Sequence, residues 1–265
     1  MRMTKDLVSL VGRRVLITGA ASGIGKAIAL RFADAGADLI LLDGDPTGVA
    51  QTAEEVSALA GSVLTHVVDL SDKEQIDTYW QRFGVGPGVP DTLINNAGAY
   101  PMRDYLEADP DFLERTLRVN LESTLWMCQA FIAARGKHGG VIVNVASVEA
   151  LAPLRDDLIP YSVGKAGVLA LTRALARSYG KRGFRVNALI PGAIHTQGTQ
   201  RLRTATMRHL DIDPIKAGYH FDARVALGRW GDVDEVARAA LFLASDLASY
   251  VQGSILPVDG GSLSS

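Results

Sequence analysis

Cysteine is almost absent from this chain of 265 residues, and Cys128 is the only one. A single thiol cannot form an internal disulfide, so the fold has no covalent cross-link within the chain. Cys128 ends the apolar run 125–128, which is typical of a buried helix. We therefore expect a packed, structural thiol and not a nucleophile.

Long apolar runs and an excess of charge are also missing. No run approaches the roughly 18 residues that cross a bilayer, and residues 1–10 lack the apolar core of a signal peptide. The formal net charge of −2 argues against a nucleic-acid or anionic-membrane partner. The histidines show no metal-ligand spacing, so we expect no metal site. These absences favour a cytoplasmic protein that acts on a small molecule.

What the chain does contain is an alternation of short apolar strands with helices. Hydrophobic residues make up 48% and charged residues 21%, which suits a large soluble core. The alternation predicts a single domain over 1–265, built on a doubly wound α/β parallel sheet of about seven strands in three α/β/α layers. Strands are predicted near 13–18, 38–43, 62–68, 91–94, 140–146, 184–190 and 254–258, and the main helices near 46–60, 109–134, 161–179 and 232–244.

A glycine-rich turn joins the first strand to the first long helix. Its spacing, Gly19-x-x-x-Gly23-x-Gly25, allows a tight turn and a close backbone approach to a ligand. The following helix N-terminus offers free N–H groups to a phosphate. We take Thr18, Gly19, Ser22, Gly23, Ile24 and Gly25 as dinucleotide-binding candidates. The alternative is a tight strand–helix turn that binds nothing.

Carboxylates stand at the ends of the next two strands. Asp43 follows the second strand, where an acidic group accepts hydrogen bonds from an adenosine ribose diol and repels a 2′-phosphate. No basic residue occupies 44 or 45, so we predict NAD and not NADP as the cofactor. The alternative is that Asp43 merely caps the next turn. Asp69, followed by Leu70, either bonds an adenine amino group or N-caps the helix starting near Asp72.

Tyr161 and Lys165 lie four residues apart, which puts them on one face of a helix. An ammonium near a phenol favours the phenolate, so we expect a lowered pKa for Tyr161. Such a phenol is suited to exchange a proton with an alcohol or its carbonyl. The alternative is an ordinary solvated helix face.

Further polar groups follow other strands. The strand near 91–94 runs into Asn95-Asn96-Ala97-Gly98, Ser147 ends the strand 140–146, and Pro191-Gly192 ends the strand 184–190. Parallel strands bring their carboxyl ends to one edge, where ligands of such sheets bind. Asn120 lies inside the long predicted helix, where an amide must find partners or distort the helix. Bonding to neighbouring backbone is its alternative role.

Together these motifs resemble the classical short-chain dehydrogenase/reductase family, over essentially the whole chain from Thr18 to Gly261. The resemblance implies a Rossmann-type fold, a bound nicotinamide dinucleotide, hydride transfer between it and an alcohol or carbonyl, and a homotetramer or homodimer. It implies roles for a catalytic set and for further cofactor contacts. The catalytic set is Tyr161, Lys165, Ser147 and Asn120; the added contacts are Asn96, Ala97, Gly98, Tyr161, Lys165, Pro191, Gly192, Ile194 and Thr196.

The substrate is less constrained. Glu149, two residues past Ser147, could bond a second hydroxyl of a polyol, sugar or cyclic diol, or it could be a solvated loop charge. Leu154 is a candidate for the apolar wall, and 193–228 for a covering lid. Alternatives within the family are a 3-oxoacyl thioester or steroid reductase. The remaining rivals are a non-catalytic dinucleotide sensor and an epimerase or dehydratase of the extended branch.

Overall fold

Seven parallel strands form one twisted sheet in the computed structural model, which describes residues 3–83, 88–196, 198–199 and 224–264. The strands are β1 (Arg14–Thr18), β2 (Asp38–Asp43), β3 (Val63–Val67), β4 (Thr92–Asn95), β5 (Gly140–Val145), β6 (Phe184–Pro191) and, after a short pair of strands named below, β9 (Ile255–Val258). Their spatial order is β3-β2-β1-β4-β5-β6-β9. The order reverses between β1 and β4, and a crevice opens at such a reversal beyond the carboxyl ends of the strands.

Helices cover both faces of the sheet. They are α1 (Thr4–Val8), α2 (Gly23–Asp34), α3 (Pro46–Val56), α4 (Lys73–Trp80), α5 (Pro110–Leu117), α6 (Ser123–Arg135), α7 (Ile159–Tyr179) and α8 (Val233–Ala244). Neighbouring residues of β1 point to opposite faces, as the strand period requires. Val15 and Ile17 pack in one core with Ile28 of α2. Leu16 packs in the other, with Phe131 of α6. The predicted three-layer, Rossmann-type α/β architecture is confirmed.

The long helix predicted near 109–134 is interrupted. A π-helical segment, Arg118–Glu122, separates α5 from α6 and contains Asn120. An amide that bonds backbone outside its own helix favours such a local change of winding, and π-helical segments recur at functional sites.

The chain between β6 and α8 is only partly described. Two short strands, β7 (Ile194–His195) and β8 (Gly231–Asp232), pair in parallel beside the main sheet. Most of the lid predicted over 193–228, and part of the predicted loop 84–90, lie outside the described residues. Within the described part of the chain, no helix is long and apolar enough to cross a membrane, and no metal-binding cluster of His, Cys, Asp and Glu is found.

Candidate functional site

A cavity of about 420 Å³ lies beyond the carboxyl ends of the central strands. We call it the edge cavity. Most of the residues proposed from the sequence to bind cofactor line it: Gly19, Ser22, Gly23, Ile24, Asp43, Asp69, Leu70, Asn96, Ala97, Gly98, Tyr161, Lys165, Pro191, Gly192, Ile194 and Thr196. Segments spread over the whole chain therefore meet at one site.

The glycine-rich turn forms one end of this cavity. Gly19 has a φ of +66°, and a Cβ there would lie 2.8 Å from the Cα of Ala97. Only glycine fits this close approach. Ser22 is the N-cap residue of α2, yet its side chain makes no capping hydrogen bond. The first N–H groups of α2 thus face the cavity without a side-chain cap, which fits the pyrophosphate of a dinucleotide.

Thr18 and Gly25 flank this turn and do not line the edge cavity. Thr18 supports the turn through hydrogen bonds. The Thr18 hydroxyl accepts hydrogen bonds from the backbone N–H groups of Asn96 and Ala97, both at 3.0 Å. The Asn96 side chain donates to the carbonyls of Thr18 and Gly19, both at 3.1 Å. These bonds tie the end of β1 to the end of β4 and hold the turn in shape.

Asp43 lies at the end of β2, where the sequence predicted a ribose contact. Its two carboxylate oxygens accept hydrogen bonds from the backbone N–H groups of Ala21 and Asp45, each at 2.9 Å. Asp43 therefore braces the glycine-rich turn as well as lining the cavity. The helix cap of α3 is Asp45 and not Asp43.

Basic groups are scarce along the cavity wall. Among the described lining residues, Lys165 is the only lysine or arginine. The Lys26 ammonium on α2 pairs with the Glu55 carboxylate at 2.7 Å. The wall described next to Asp43 thus offers no cation to a 2′-phosphate.

Asp69 does not cap a helix, so that sequence alternative is wrong. The N-cap of α4 is Asp72, whose carboxylate accepts from the N–H groups of Glu74 and Gln75. Asp69 instead accepts hydrogen bonds from the backbone and hydroxyl of Ser71, at 2.9 Å and 2.7 Å. A nearer aspartate supplied the cap, and Asp69 remains on the cavity wall.

Tyr161 and Lys165 sit in the first two turns of α7, at the other end of the cavity. Both side chains are buried. The Lys165 ammonium donates a hydrogen bond to the Val145 carbonyl at 3.0 Å, and it lies 5.8 Å from the centroid of the Tyr161 ring. Burial lowers the pKa of Lys165 to about 8. The alternative of a solvated helix face is therefore wrong.

The expected lowering of the Tyr161 pKa is also wrong. Burial raises the pKa of Tyr161 well above its usual value, and the neighbouring Tyr100 raises it further. A hydrogen-bonding interaction with Ser147 acts in the opposite direction. Loss of hydration is the largest cause for Tyr161, and the same burial disfavours the charge of Lys165.

Ser147 lies close to Tyr161 but is only 3% exposed and does not line the edge cavity. Its hydroxyl accepts a hydrogen bond from the Glu149 N–H at 3.2 Å, which caps the short 3₁₀ turn Val148–Ala150. The strand-end position therefore brings this hydroxyl beside the phenol of Tyr161, as the resemblance implied.

Asn120 uses its side chain to hold other backbone. The amide nitrogen donates to the carbonyls of Ala99 and Thr116, both at 3.0 Å. The amide oxygen accepts from the Ala99 N–H at 3.1 Å. Asn120 thus clamps the chain just past Gly98, which passes close to the Lys165 ammonium.

Glu149 is buried, at 6% exposure, so its alternative as a solvated loop charge is wrong. One carboxylate oxygen accepts from the Leu154 N–H at 3.0 Å and from the Ser162 hydroxyl at 3.3 Å. Burial raises the pKa of Glu149. Neither Glu149 nor Leu154 lines the edge cavity. The carboxylate holds the connection before α7 in place.

Tyr100 is the residue that sequence reasoning missed. Its ring stacks on that of Tyr161, with centroids 4.5 Å apart and planes inclined by 28°. Its position two residues past Gly98 was a signal that it lies near the cavity, but only the fold shows which way its ring points. Burial of the hydroxyl end raises the pKa of Tyr100, whereas its hydrogen-bonding interactions with Tyr161 and Ser147 lower it.

Comparison with known proteins agrees with this geometry. A family model described as enoyl-(acyl carrier protein) reductase matches residues 19–262. Galactitol 2-dehydrogenase (L-tagatose-forming) of Cereibacter sphaeroides is 37% identical, covering 97% of each chain. The 3-oxoacyl-(acyl-carrier-protein) reductase FabG of Thermotoga maritima is 36% identical, covering 95% of this chain and 98% of that one.

A solved structure is similar over the same extent. A protein of Beutenbergia cavernae, assigned as an NAD(P)-dependent gluconate 5-dehydrogenase and crystallised with NADP at low occupancy, superposes with a TM-score of 0.88. It is 36% identical and covers 98% of this chain and all of its own. The chain therefore belongs to the classical short-chain dehydrogenase/reductase family, and it is an oxidoreductase that uses a nicotinamide dinucleotide to interconvert hydroxyl and carbonyl groups.

Proposed function

We propose that the protein is an NAD-dependent dehydrogenase that interconverts a secondary alcohol and a ketone on a polyol or sugar. The observation that carries this proposal is a single cavity with two distinct ends. One end holds the Tyr161 phenol and the Lys165 ammonium, and the other holds the Asp43 carboxylate beside an uncapped helix N-terminus.

We assign the proton transfer to Tyr161. In the oxidative direction its phenolate takes the proton of the carbinol hydroxyl, and in reduction the phenol returns it. When bound, the oxidised dinucleotide supplies the hydride acceptor and a positive charge that favours the phenolate. Ser147 donates a hydrogen bond to the reacting oxygen and stabilises its developing negative charge.

Lys165 and Asn120 support this transfer in our proposal. Lys165 carries the second titrating group of the pair and holds the ribose hydroxyls next to the nicotinamide. Asn120 fixes the backbone at Ala99 and, as the family resemblance implies, holds a water that connects Lys165 to solvent. Beyond the carboxyl end of β6, Thr196 and the backbone of Ile194 would contact the carboxamide of the nicotinamide.

The preference for NAD rests on charge. The Asp43 carboxylate accepts hydrogen bonds from a ribose diol and repels a 2′-phosphate. Lys165, the only basic residue among the described lining residues, lies at the opposite end of the cavity. The NADP bound to the Beutenbergia cavernae protein belongs to a chain that differs at nearly two thirds of the aligned positions.

The substrate class rests on the likeness to a polyol dehydrogenase and on the polar groups at the reaction end, the hydroxyls of Tyr161 and Ser147. A cyclic diol would use the same groups. The likeness to a 3-oxoacyl reductase supports a second candidate, the reduction of a 3-oxoacyl thioester.

A substrate panel tests this proposal. Purified enzyme is mixed with NAD and with polyols, sugars, cyclic diols or steroid alcohols, and NADH absorbance is followed; 3-oxoacyl thioesters are assayed with NADH in reverse. We expect turnover on a polyol or sugar and release of NADH into solution. Cofactor binding without turnover on any compound would favour a sensor, and retained NADH would favour an epimerase.

Tyr161→Phe is the matched variant for this assay. It removes one hydroxyl and keeps the ring that stacks on Tyr100. We expect turnover to fall by at least about 100-fold, the usual contribution of a positioned proton donor, while NAD binding persists. A variant that kept near-normal kcat would show that the proton is carried by another group.

We also propose that the chain assembles with copies of itself, a homotetramer or homodimer, and acts in the cytoplasm. Exposed apolar side chains on and before α7 support self-association: Leu151, Ile159 and Val163. Light scattering of the purified protein tests it, because a monomer at micromolar concentration would contradict it.

A further inference from the structure

Tyr100 covers the groups to which we assign the chemistry. Its ring lies flat against Tyr161, which is only 2% exposed although the edge cavity reaches it. Ser147 is similarly buried, and Tyr100 lines the cavity where Ser147 does not. The Tyr100 ring therefore lies between part of the cavity and one face of the Tyr161 ring.

The Tyr100 ring occupies one face of the phenol that a substrate must reach, with its centroid 4.5 Å from that of Tyr161. The reacting oxygen of an alcohol must contact the Tyr161 and Ser147 hydroxyls, because one exchanges its proton and the other stabilises its charge. The carbon skeleton of a substrate and the stacked ring cannot occupy the same place, so the ring must leave when the substrate arrives.

The backbone on either side of Tyr100 is anchored. Asn120 holds both the N–H and the carbonyl of Ala99. The N–H of Arg103 donates to the carbonyl of Asp157 at 3.1 Å. The Tyr100 side chain itself is 48% exposed, so it has open space on its outer side. A rotation of this side chain, with the loop left in place, is therefore the movement that uncovers Tyr161.

We propose that Tyr100 is a gating residue, whose ring covers Tyr161 until a substrate displaces it. This inference rests on the proposed function, because it takes its meaning from the roles of Tyr161 and Ser147. The substrate binds only to molecules in which Tyr100 has swung out. The apparent affinity for the substrate is therefore the intrinsic affinity multiplied by the fraction of such molecules.

Kinetics of two variants test the gate. Tyr100→Phe keeps the stacked ring, and Tyr100→Ala removes the cover. With saturating NAD, we expect the substrate KM to fall about two- to tenfold in Tyr100→Ala, the range of one aromatic pair lost by the closed form. In Tyr100→Phe it should stay close to that of the wild type. In both, kcat and the Kd for NAD should stay close to those of the wild type.

Tyr105→Phe is the matched control. Tyr105 lies five residues further along, is 56% exposed and does not line the edge cavity. The substrate KM of the Tyr105→Phe variant should equal that of the wild type. If Tyr100→Ala leaves KM unchanged or raises it, Tyr100 is an ordinary wall residue that contacts substrate, and the gate is refuted.

Hydroxyl-radical footprinting, read by mass spectrometry on the peptide containing Tyr161, needs no substrate. We expect a gain in labelling of Tyr161 in Tyr100→Ala, and none in Tyr105→Phe. Unchanged labelling in Tyr100→Ala would overturn the gate. A panel without any turnover would defeat the proposed function, whereas the footprint would still decide whether Tyr100 covers Tyr161.

Discussion

The cofactor preference assigned to Asp43 can be measured with one conservative substitution. Asp43→Asn removes the charge and keeps the shape. The amide oxygen can still accept from one of the two N–H groups that the carboxylate now holds, those of Ala21 and Asp45. The glycine-rich turn should therefore persist, with a loss of one hydrogen bond, worth about 1 kcal/mol of folding stability.

Two effects on the cofactor follow from the same change. A hydrogen bond to a charged acceptor contributes about 1.5–3 kcal/mol and a neutral one about 0.5–1.5, so NAD should bind more weakly by about 1 kcal/mol. The repulsion of a 2′-phosphate disappears, which favours NADP by about 1–2 kcal/mol at a partly exposed site. Together these shift the ratio of kcat/KM for NAD over NADP by about 2–3 kcal/mol, or roughly 30- to 150-fold.

The assay is initial rate against cofactor concentration, with NAD and NADP in parallel. Asp45→Asn is the control, since Asp45 carries the same charge two residues away but caps α3 and does not line the edge cavity. Its ratio should change by no more than about twofold, because exposed charges beyond contact are screened. A wild-type preference for NADP, or equal effects of the two substitutions, would refute the role given to Asp43.

Two further predictions concern pH. Burial lowers the pKa of Lys165 to about 8. The kcat/KM for alcohol oxidation should therefore rise with pH through about 8 and level off above it, as the Tyr161–Lys165 pair loses its proton. In Lys165→Met the inflection should move upward, toward the raised pKa of Tyr161, and an unmoved inflection would assign it to another group. Burial raises the pKa of Glu149, so its charged form weakens the fold above that raised pKa, and the penalty vanishes as pH falls below the unfolded value of about 4.3. Glu149→Gln should therefore gain Tm relative to the wild type at pH 8 compared with pH 5, whereas Glu149→Ala, which leaves the Leu154 N–H without its acceptor, should lose Tm at both; an equal change for Glu149→Gln at the two pH values would contradict this cause.

The gathering of the candidate site residues at one edge could be predicted because the sheet is parallel. Every βα connection returns the chain to the same edge, so residues that end strands must meet there. Asp43 and Asn96 follow this rule, and both line the edge cavity. The break in the long helix was foreshadowed by Asn120, because an amide inside a helix has to find acceptors and donors. It found them across the crevice at Ala99.

Other features could not be predicted, because each depends on a competition between neighbours. Asp69 and Asp72 were both suited to cap α4, and the nearer one does so. Glu149 could have been a substrate contact or a solvated loop charge, and the fold buries it against Ser162. The pKa of Tyr161 was predicted from a single neighbour in sequence, whereas in the fold it depends mainly on the loss of hydration that burial by all of its neighbours causes.

The sequence by itself determined the α/β alternation, the glycine-rich turn and the placement of Tyr161 and Lys165 on one helix face, because these depend on spacing along one strand or one helix. Only the tertiary structure decided that Tyr100 lies over Tyr161 and that Glu149 braces a wall instead of facing the cavity. Local periodicity fixes the face of the helix or strand from which a side chain projects. The groups that the side chain then contacts depend on packing between segments distant in sequence, and on the hydrogen bonds that buried polar groups must make.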